Sequence, residues 1–147
     1  MSLKEKLLND LKEAMRDKDT VRKNAIQMAR SAVLQIEKDR RVTLDDDGII
    51  EVIAKQIKQR KEVLPEYEKS GRQDLIDNLR REIEILSQYM PQQLTEDELE
   101  SVIKDTIQEI GANSVKDLGK LMQAVMPKVR GRADGKLVNQ IARKLLS

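Results

Sequence analysis

Apolar residues return at steps of three and four through almost the whole chain, the spacing of one face of an α-helix, and no stretch alternates as a half-buried strand does. Leu3, Leu7, Leu8, Leu11 and Met15 predict a first helix over about residues 3–16. Val21, Ala25, Met28, Ala29, Ala32 and Ile36 predict a second, with Thr20 as its N-cap and its end before Val42. Thr43-Leu-Asp-Asp-Asp-Gly48 reads as a turn into a third helix, with the acids near its N-terminus, where the dipole favours negative charge. Ile49, Ile50, Ile53, Ile57 and Leu64 carry that stripe onward, and Pro65 is expected to kink or end it. Ser70-Gly71 marks a break, and Leu75, Leu79, Ile83 and Leu86 predict a fourth helix.

Met90-Pro91 closes this group. A linker then leads to Thr95-Glu-Asp-Glu98, a capping box with threonine at the N-cap and glutamate three residues on. Leu99, Val102, Ile103, Ile107 and Ile110 follow, and Gly111 suits a left-handed C-terminal cap. Ser114 is expected to cap a sixth helix with Val115, Leu118, Leu121, Met122 and Val125 facing inward. Gly119 inside it costs about 1 kcal/mol against alanine, which points to close helix contact there. Met126-Pro127 is expected to end the pattern, and Asp134 to cap a last helix carrying Leu137, Val138, Ile141 and Leu145. The expected architecture is all-α, with an N-terminal domain of about four helices over residues 1–93 and a C-terminal three-helix domain over 94–147.

Composition supports helix-on-helix packing. The 147 residues include two tyrosines, Tyr67 and Tyr89, and no Phe or Trp, so a core must be built from aliphatic side chains and Met. The absence of Cys removes disulfides and thiolate chemistry and agrees with a reducing compartment. No apolar run approaches the roughly 20 residues of a membrane span, and the amphipathic N-terminus has no signal-peptide core. A cytoplasmic location without membrane association is the expectation.

With neither His nor Cys, the commonest general base and the strongest thiol nucleophile are missing. No phosphate-binding glycine loop is present. Asp45-Asp46-Asp47-Gly48 lacks the ligand spacing of a calcium loop and reads as a solvated helix start. The acid pairs Glu82/Glu84 and Glu96/Glu100 lie on charge-rich helices where exposure is the ordinary outcome. No catalytic residue, metal site or cofactor is expected.

Net charge is only +2, but its distribution is uneven. Residues 95–115 hold six acids against one base, whereas residues 116–147 hold eight bases against two acids. Lys128-Val-Arg-Gly-Arg-Ala-Asp-Gly-Lys136 joins the last two helices. Gly131 permits a positive φ, and Gly135 opens the first turn of the last helix, whose free N–H groups suit a phosphate. Lys128, Arg130, Arg132 and Lys136 surround it, and Arg143 extends the basic side. The alternative is a two-glycine interhelical turn with solvated bases around it, and the Asp134 carboxylate counts against a bare anion site. Lys55-Gln-Ile-Lys-Gln-Arg-Lys61 is a second basic run, read as an exposed face with intrahelical pairs. Arg16, Lys18, Arg22, Lys23 and Arg30 form a weaker group. Without aromatic stacking platforms, a nucleic-acid partner would be read by backbone and shape, which fits a structured RNA.

Several stretches together resemble the YqeY-like proteins. They are Asp117-Leu-Gly-Lys-Leu-Met122, Met126-Pro-Lys-Val-Arg-Gly-Arg-Ala-Asp-Gly135, Lys58-Gln-Arg-Lys61, Gly71-Arg-Gln-Asp-Leu75 and Glu84-Ile-Leu-Ser-Gln-Tyr-Met-Pro-Gln-Gln-Leu94. Gln123 departs from the family, which often has a small residue there. The family is similar to the C-terminal helical and tail region of the B subunit of the glutamine-dependent aspartyl/glutamyl-tRNA amidotransferase, where the tail helps engage tRNA. The resemblance implies a non-catalytic, tRNA-associated module that touches nucleic acid through Lys128, Arg130, Gly131, Arg132, Gly135, Lys136 and Arg143. Two alternatives accompany it. One is a module docking on amidotransferase or aminoacyl-tRNA synthetase subunits, which calls for an exposed apolar patch around Leu121, Met122, Val125 and Met126. The other is the carbon–nitrogen ligase activity with glutamine as amido-N-donor that the family is associated with.

Overall fold

The computed structural model describes residues 1–147 as seven α-helices with no strand. They are α1 (Leu3–Arg16), α2 (Thr20–Arg40), α3 (Asp46–Ser70), α4 (Gln73–Ser87), α5 (Glu96–Ile110), α6 (Leu118–Val129) and α7 (Gly135–Leu146), with a single 3-10 turn at Val115–Asp117. The chain divides into two compact units, Met1–Met90 and Pro91–Ser147.

Helix starts follow side-chain capping. The Ser2 hydroxyl accepts from the Glu5 N–H, and the Asp45 carboxylate accepts from the Gly48 N–H at 2.8 Å. At α5 the capping box is complete, with Thr95 and Glu98 each accepting from the other's backbone N–H. The cap of α2 is Asp19 rather than Thr20, because the carboxylate accepts from the Arg22 N–H and Thr20 is already helical. Ser114 caps only the 3-10 turn and makes no side-chain bond, so α6 begins later, at Leu118. Gly71 and Gly111 close α3 and α5 in the left-handed region. Arg41 closes α2 in the same conformation without being glycine.

Both internal prolines sit in helices that continue past them. Helix α3 runs on to Ser70 beyond Pro65, and α6 runs on to Val129 beyond Pro127. A proline removes one bond to the carbonyl four residues back. Those carbonyls belong to Lys61 and Gln123, both exposed residues, so water can take the place of the missing donor. Gly119 meets nothing within 4 Å of where a Cβ would stand, so the expected close helix contact is absent.

The core of the first unit is Leu7, Leu11, Ala25, Ile26, Ala29, Val33, Ile49, Val52, Ile53, Ile57, Ile85 and Leu86. Ala14 is buried in place of Met15, and Met15 and Met28 are exposed. The end of α4 is tied to α1 and α2 through Tyr89, whose hydroxyl donates to the Asp10 carboxylate. Arg22 pairs with Glu13 at 3.1 Å and with Asp10 at 3.8 Å. Burial, and then the bond to Asp10, push the Tyr89 phenol well above its ordinary pKa.

From Lys61 to Asp74 every residue except Leu64 is exposed. The Arg81–Asp19 pair sets the α1–α2 turn against α4, and one residue further along α4 the Arg60–Glu82 pair joins it to α3. Beyond that level the two helices support only each other, with Arg80 and Glu68 paired across them at 3.1 Å.

Lys4 Nζ donates to both Glu37 oxygens, at 2.9 and 2.7 Å, and the Leu44 N–H donates to the same carboxylate at 2.8 Å. The Lys4 bond first, and the Leu44 bond second, hold the Glu37 carboxyl below the usual carboxylate range. A pKa lowered by folding adds stability above the unfolded-state pKa and loses it as pH falls through the folded-state pKa. The stability gap between the wild type and Glu37→Gln in urea unfolding should therefore be full at neutral pH and close in acid. A gap that is constant with pH would mean the carboxylate's charge does not matter.

The core of the second unit is Leu99, Ile103, Leu121, Val125, Val129, Val138, Ala142 and Leu146. Thr106 is buried with them, and its hydroxyl donates to the Val102 carbonyl at 2.7 Å, which satisfies a polar group that burial would otherwise penalise. Ile110 and Val115, both expected to face inward, are exposed. No helix is long and apolar enough to cross a membrane.

Candidate nucleic-acid interface

The basic segment between α6 and α7 begins as a type II β-turn over Val129–Arg132. Arg130 has φ −53° and ψ 122°, Gly131 has φ +73°, and the Arg132 N–H donates to the Val129 carbonyl at 2.8 Å. A type II turn requires positive φ at its third residue, so the structural role of Gly131 is this reversal.

Asp134 then caps α7, with its carboxylate accepting from the Lys136 N–H at 3.2 Å. The N-terminus of α7 thus already holds an acidic group of its own. Gly135 is the first residue of the helix, and a Cβ there would stand 3.6 Å from Met126 Cε, an ordinary contact.

The predicted cations fall into different environments. Lys128, on α6, is drawn toward α5, where its ammonium donates to Thr106 Oγ1 at 3.0 Å and to Glu109 Oε2 at 2.7 Å. The pair with Glu109 is open to solvent on both sides. The half-buried Arg132 donates from Nε to the Gln92 carbonyl at 3.0 Å. Arg130 and Lys136 are exposed. Arg143 is exposed in the last turn of α7, where its Nε donates to Asn139 Oδ1 at 3.1 Å. Lys136 and Arg143 are seven residues apart, about two helical turns, so they lie on one face of α7 roughly 10 Å apart. Gln140 is exposed between them and Lys144 is exposed next to Arg143. The geometry therefore groups Arg130, Lys136 and Arg143 as exposed cations of the turn and α7. It separates Lys128, held against α5, and Arg132, held against the linker.

Two contributors to this region have little signature in the sequence. Thr106 lies on the α5 stripe three residues after Ile103, at helical spacing but with a hydroxyl that suggests a solvent-facing position. Gln93 lies in the linker before α5, and its side-chain amide donates to the Gly131 carbonyl at 2.7 Å. Nothing in the local pattern points to a partner 38 residues away.

Elsewhere, Arg60 departs from the exposed face expected of the second basic run. It is only 7% exposed, with Nη1 donating to the Gln56 carbonyl and side chain and Nε 3.6 Å from Glu82. Asp46 Oδ1 accepts from the Leu3 N–H, and Glu100 pairs with Lys104 at 3.1 Å. No group of three acidic side chains is arranged to hold a metal ion. The apolar patch expected around Leu121, Met122, Val125 and Met126 is not a surface, because Leu121 and Val125 are fully buried and the two methionines pack against them.

The family model described as Yqey-like protein matches residues 4–146. Among curated proteins, the chain is 26% identical over 130 residues to "Altered inheritance of mitochondria protein 41, mitochondrial" of Pyrenophora tritici-repentis, covering 87% of this chain and 71% of that protein. It is 39% identical over 84 residues to the protein of the same name from Kluyveromyces lactis, covering 56% of this chain and 45% of that protein. It is also 42% identical over 55 residues to a glutamyl-tRNA(Gln) amidotransferase subunit of Thermococcus sibiricus, covering 35% of this chain and 9% of that protein.

Proposed function

We propose, from the premise that this chain belongs to the YqeY-like family, that it is a non-catalytic tRNA-associated module whose basic turn and α7 lie along a phosphate backbone. The observation that carries this reading is the placement of Arg130, Lys136 and Arg143 as exposed cations on the turn and one face of α7. Similarity to a subunit of a tRNA amidotransferase supports it. Recognition would rest on charge and the shape of a folded RNA, since α7 offers amide and cationic groups but no aromatic ring. Gly131 then serves by shaping the turn and Lys128 by fixing the end of α6 rather than by meeting phosphate.

Each phosphate contact releases condensed counterions, so the log of affinity falls with the log of salt in proportion to the number of contacts. The Arg130→Ala/Lys136→Ala variant should bind unfractionated tRNA more weakly, with a salt slope shallower by about 2. Unchanged affinity and slope in a fluorescence titration would remove these residues from the site.

A cytoplasmic location belongs to the same proposal. The fungal relatives carry "mitochondrial" in their names. Fractionation of cells expressing the tagged chain distinguishes cytosol from organelle. A second reading, docking on amidotransferase or aminoacyl-tRNA synthetase subunits, draws on Val63 and Tyr67, which are exposed one turn apart on α3. Carbon–nitrogen ligase activity with glutamine as amido-N-donor would require catalytic groups beyond the basic turn and α7. A glutaminase assay on the purified chain would reveal it.

A further inference from the structure

The segment before α5 crosses the basic turn and is bonded to it at three points. The Leu94 N–H donates to the Arg132 carbonyl at 2.9 Å, Gln93 Nε2 donates to the Gly131 carbonyl at 2.7 Å, and Arg132 Nε donates to the Gln92 carbonyl at 3.0 Å. Gln93 Nε2 also donates to the Pro91 carbonyl at 3.0 Å, which folds the strap's own backbone around the amide. The last two carbonyls of the turn, those of Gly131 and Arg132, thus receive donors from residues 93 and 94.

We infer that Gln93 is a positioning residue for the basic turn, holding it in the shape that presents Arg130 and Lys136 to phosphate. This inference rests on the tRNA reading above. Its physical basis is the sign of the groups involved. Carbonyl oxygens repel phosphate, and a turn free to rotate them outward would oppose the cations beside it. The Gln93 amide and the Leu94 N–H satisfy those oxygens within the fold. Arg132, tethered through Nε, retains its two terminal nitrogens as donors on an immobilised plane. Ordering the turn before the RNA arrives lowers the entropy lost on binding. Gln93 carries no charge, so its contribution is separable from counterion release.

The test is Gln93→Met, which keeps the length of the side chain and removes the donor. Unfractionated tRNA should bind this variant about two- to tenfold more weakly, the factor that loss of one hydrogen bond gives. The salt slope should stay at the wild-type value, whereas Arg130→Ala should make it shallower by about 1. Without RNA, hydrogen exchange at the Leu94 amide should accelerate in Gln93→Met, while the Ile103 amide in the core keeps its rate. Gln93→Asn, with a shorter reach but the same amide, should restore part of the affinity.

Unchanged Leu94 exchange would overturn the inference, because the strap would not depend on this bond. Equal acceleration at Leu94 and Ile103 would also overturn it, because Gln93 would then serve overall stability alone. Normal tRNA affinity in Gln93→Met, with weakened binding in Arg130→Ala, would sink the inference and leave the tRNA reading standing. If the wild-type chain fails to bind tRNA, the reading fails and the inference with it.

Discussion

Leu121→Ala is expected to unfold Pro91–Ser147 while Met1–Met90 keeps its protection against hydrogen exchange. Leu121 is fully buried at the centre of the second core, among Leu99, Ile103, Val125 and Val138. Truncating a buried leucine removes apolar contact and leaves a cavity, which together cost about 2–5 kcal/mol. A core built from so short a chain rarely supplies more than about 3–5 kcal/mol, so the loss is comparable to the whole stability of the unit. The two cores share no residue. Mass spectrometry of exchanging peptides should therefore show rapid exchange in α5, α6 and α7 and wild-type protection in α1, α2 and the first half of α3. Loss of protection in both units together would show that they fold as one cooperative body. Retained protection in both would show that the second core closes around the missing side chain.

The second large effect concerns Arg60. Its guanidinium is buried between α2, α3 and α4, with Glu82 as its acidic partner at 3.6 Å and Met28 Sδ 3.5 Å from Nη2. Nε has no hydrogen bond. Removing one partner of a buried pair leaves the other charge uncompensated, which costs about 3–5 kcal/mol, whereas replacing both partners by apolar groups of similar volume is often neutral. Glu82 is partly open to water, which favours the lower end of that range. Glu82→Ala should thus lower the urea midpoint strongly, and Arg60→Met should lower it less, because the carboxylate it leaves behind is the partner open to water. The Glu82→Ala/Arg60→Met double variant should recover most of the loss. If Arg60→Met proved the more damaging single change, the bonds to Gln56 rather than the pair with Glu82 would hold the site.

The helices are legible in the sequence because aliphatic residues at steps of three and four have no other way to share a face. The finer departures have local causes. Met15 and Ala14 are neighbours, and Ala14 is the one in helical phase with the buried Leu7 and Leu11. Thr20 follows Asp19, and only the carboxylate reaches the Arg22 N–H. Pro65 and Pro127 would break helices where the lost bond is buried, and here it falls on exposed turns. Arg60 is basic like its exposed neighbours Lys58 and Lys61, and its burial follows from its place on the inner face of α3. In the basic turn, the conformation of Gly131 and the Asp134 cap are readable from residue type. The diversion of Lys128 to Glu109 and of Arg132 to Gln92 is not, because those partners lie 19 and 40 residues away.

The exposed end of the α3–α4 pair has a mechanical consequence. Residues 61–70 of α3 reach about 15 Å beyond the level of Arg60, at 1.5 Å of rise per residue. This end is a lever, and the Arg60–Glu82 pair sits at its fulcrum. A load applied sideways at Tyr67 is felt as torque at that pair, where the charges are already 3.6 Å apart and Nε has no bond to stretch. Deflection of the tip is thus taken up at the Arg60–Glu82 pair before it reaches the aliphatic core.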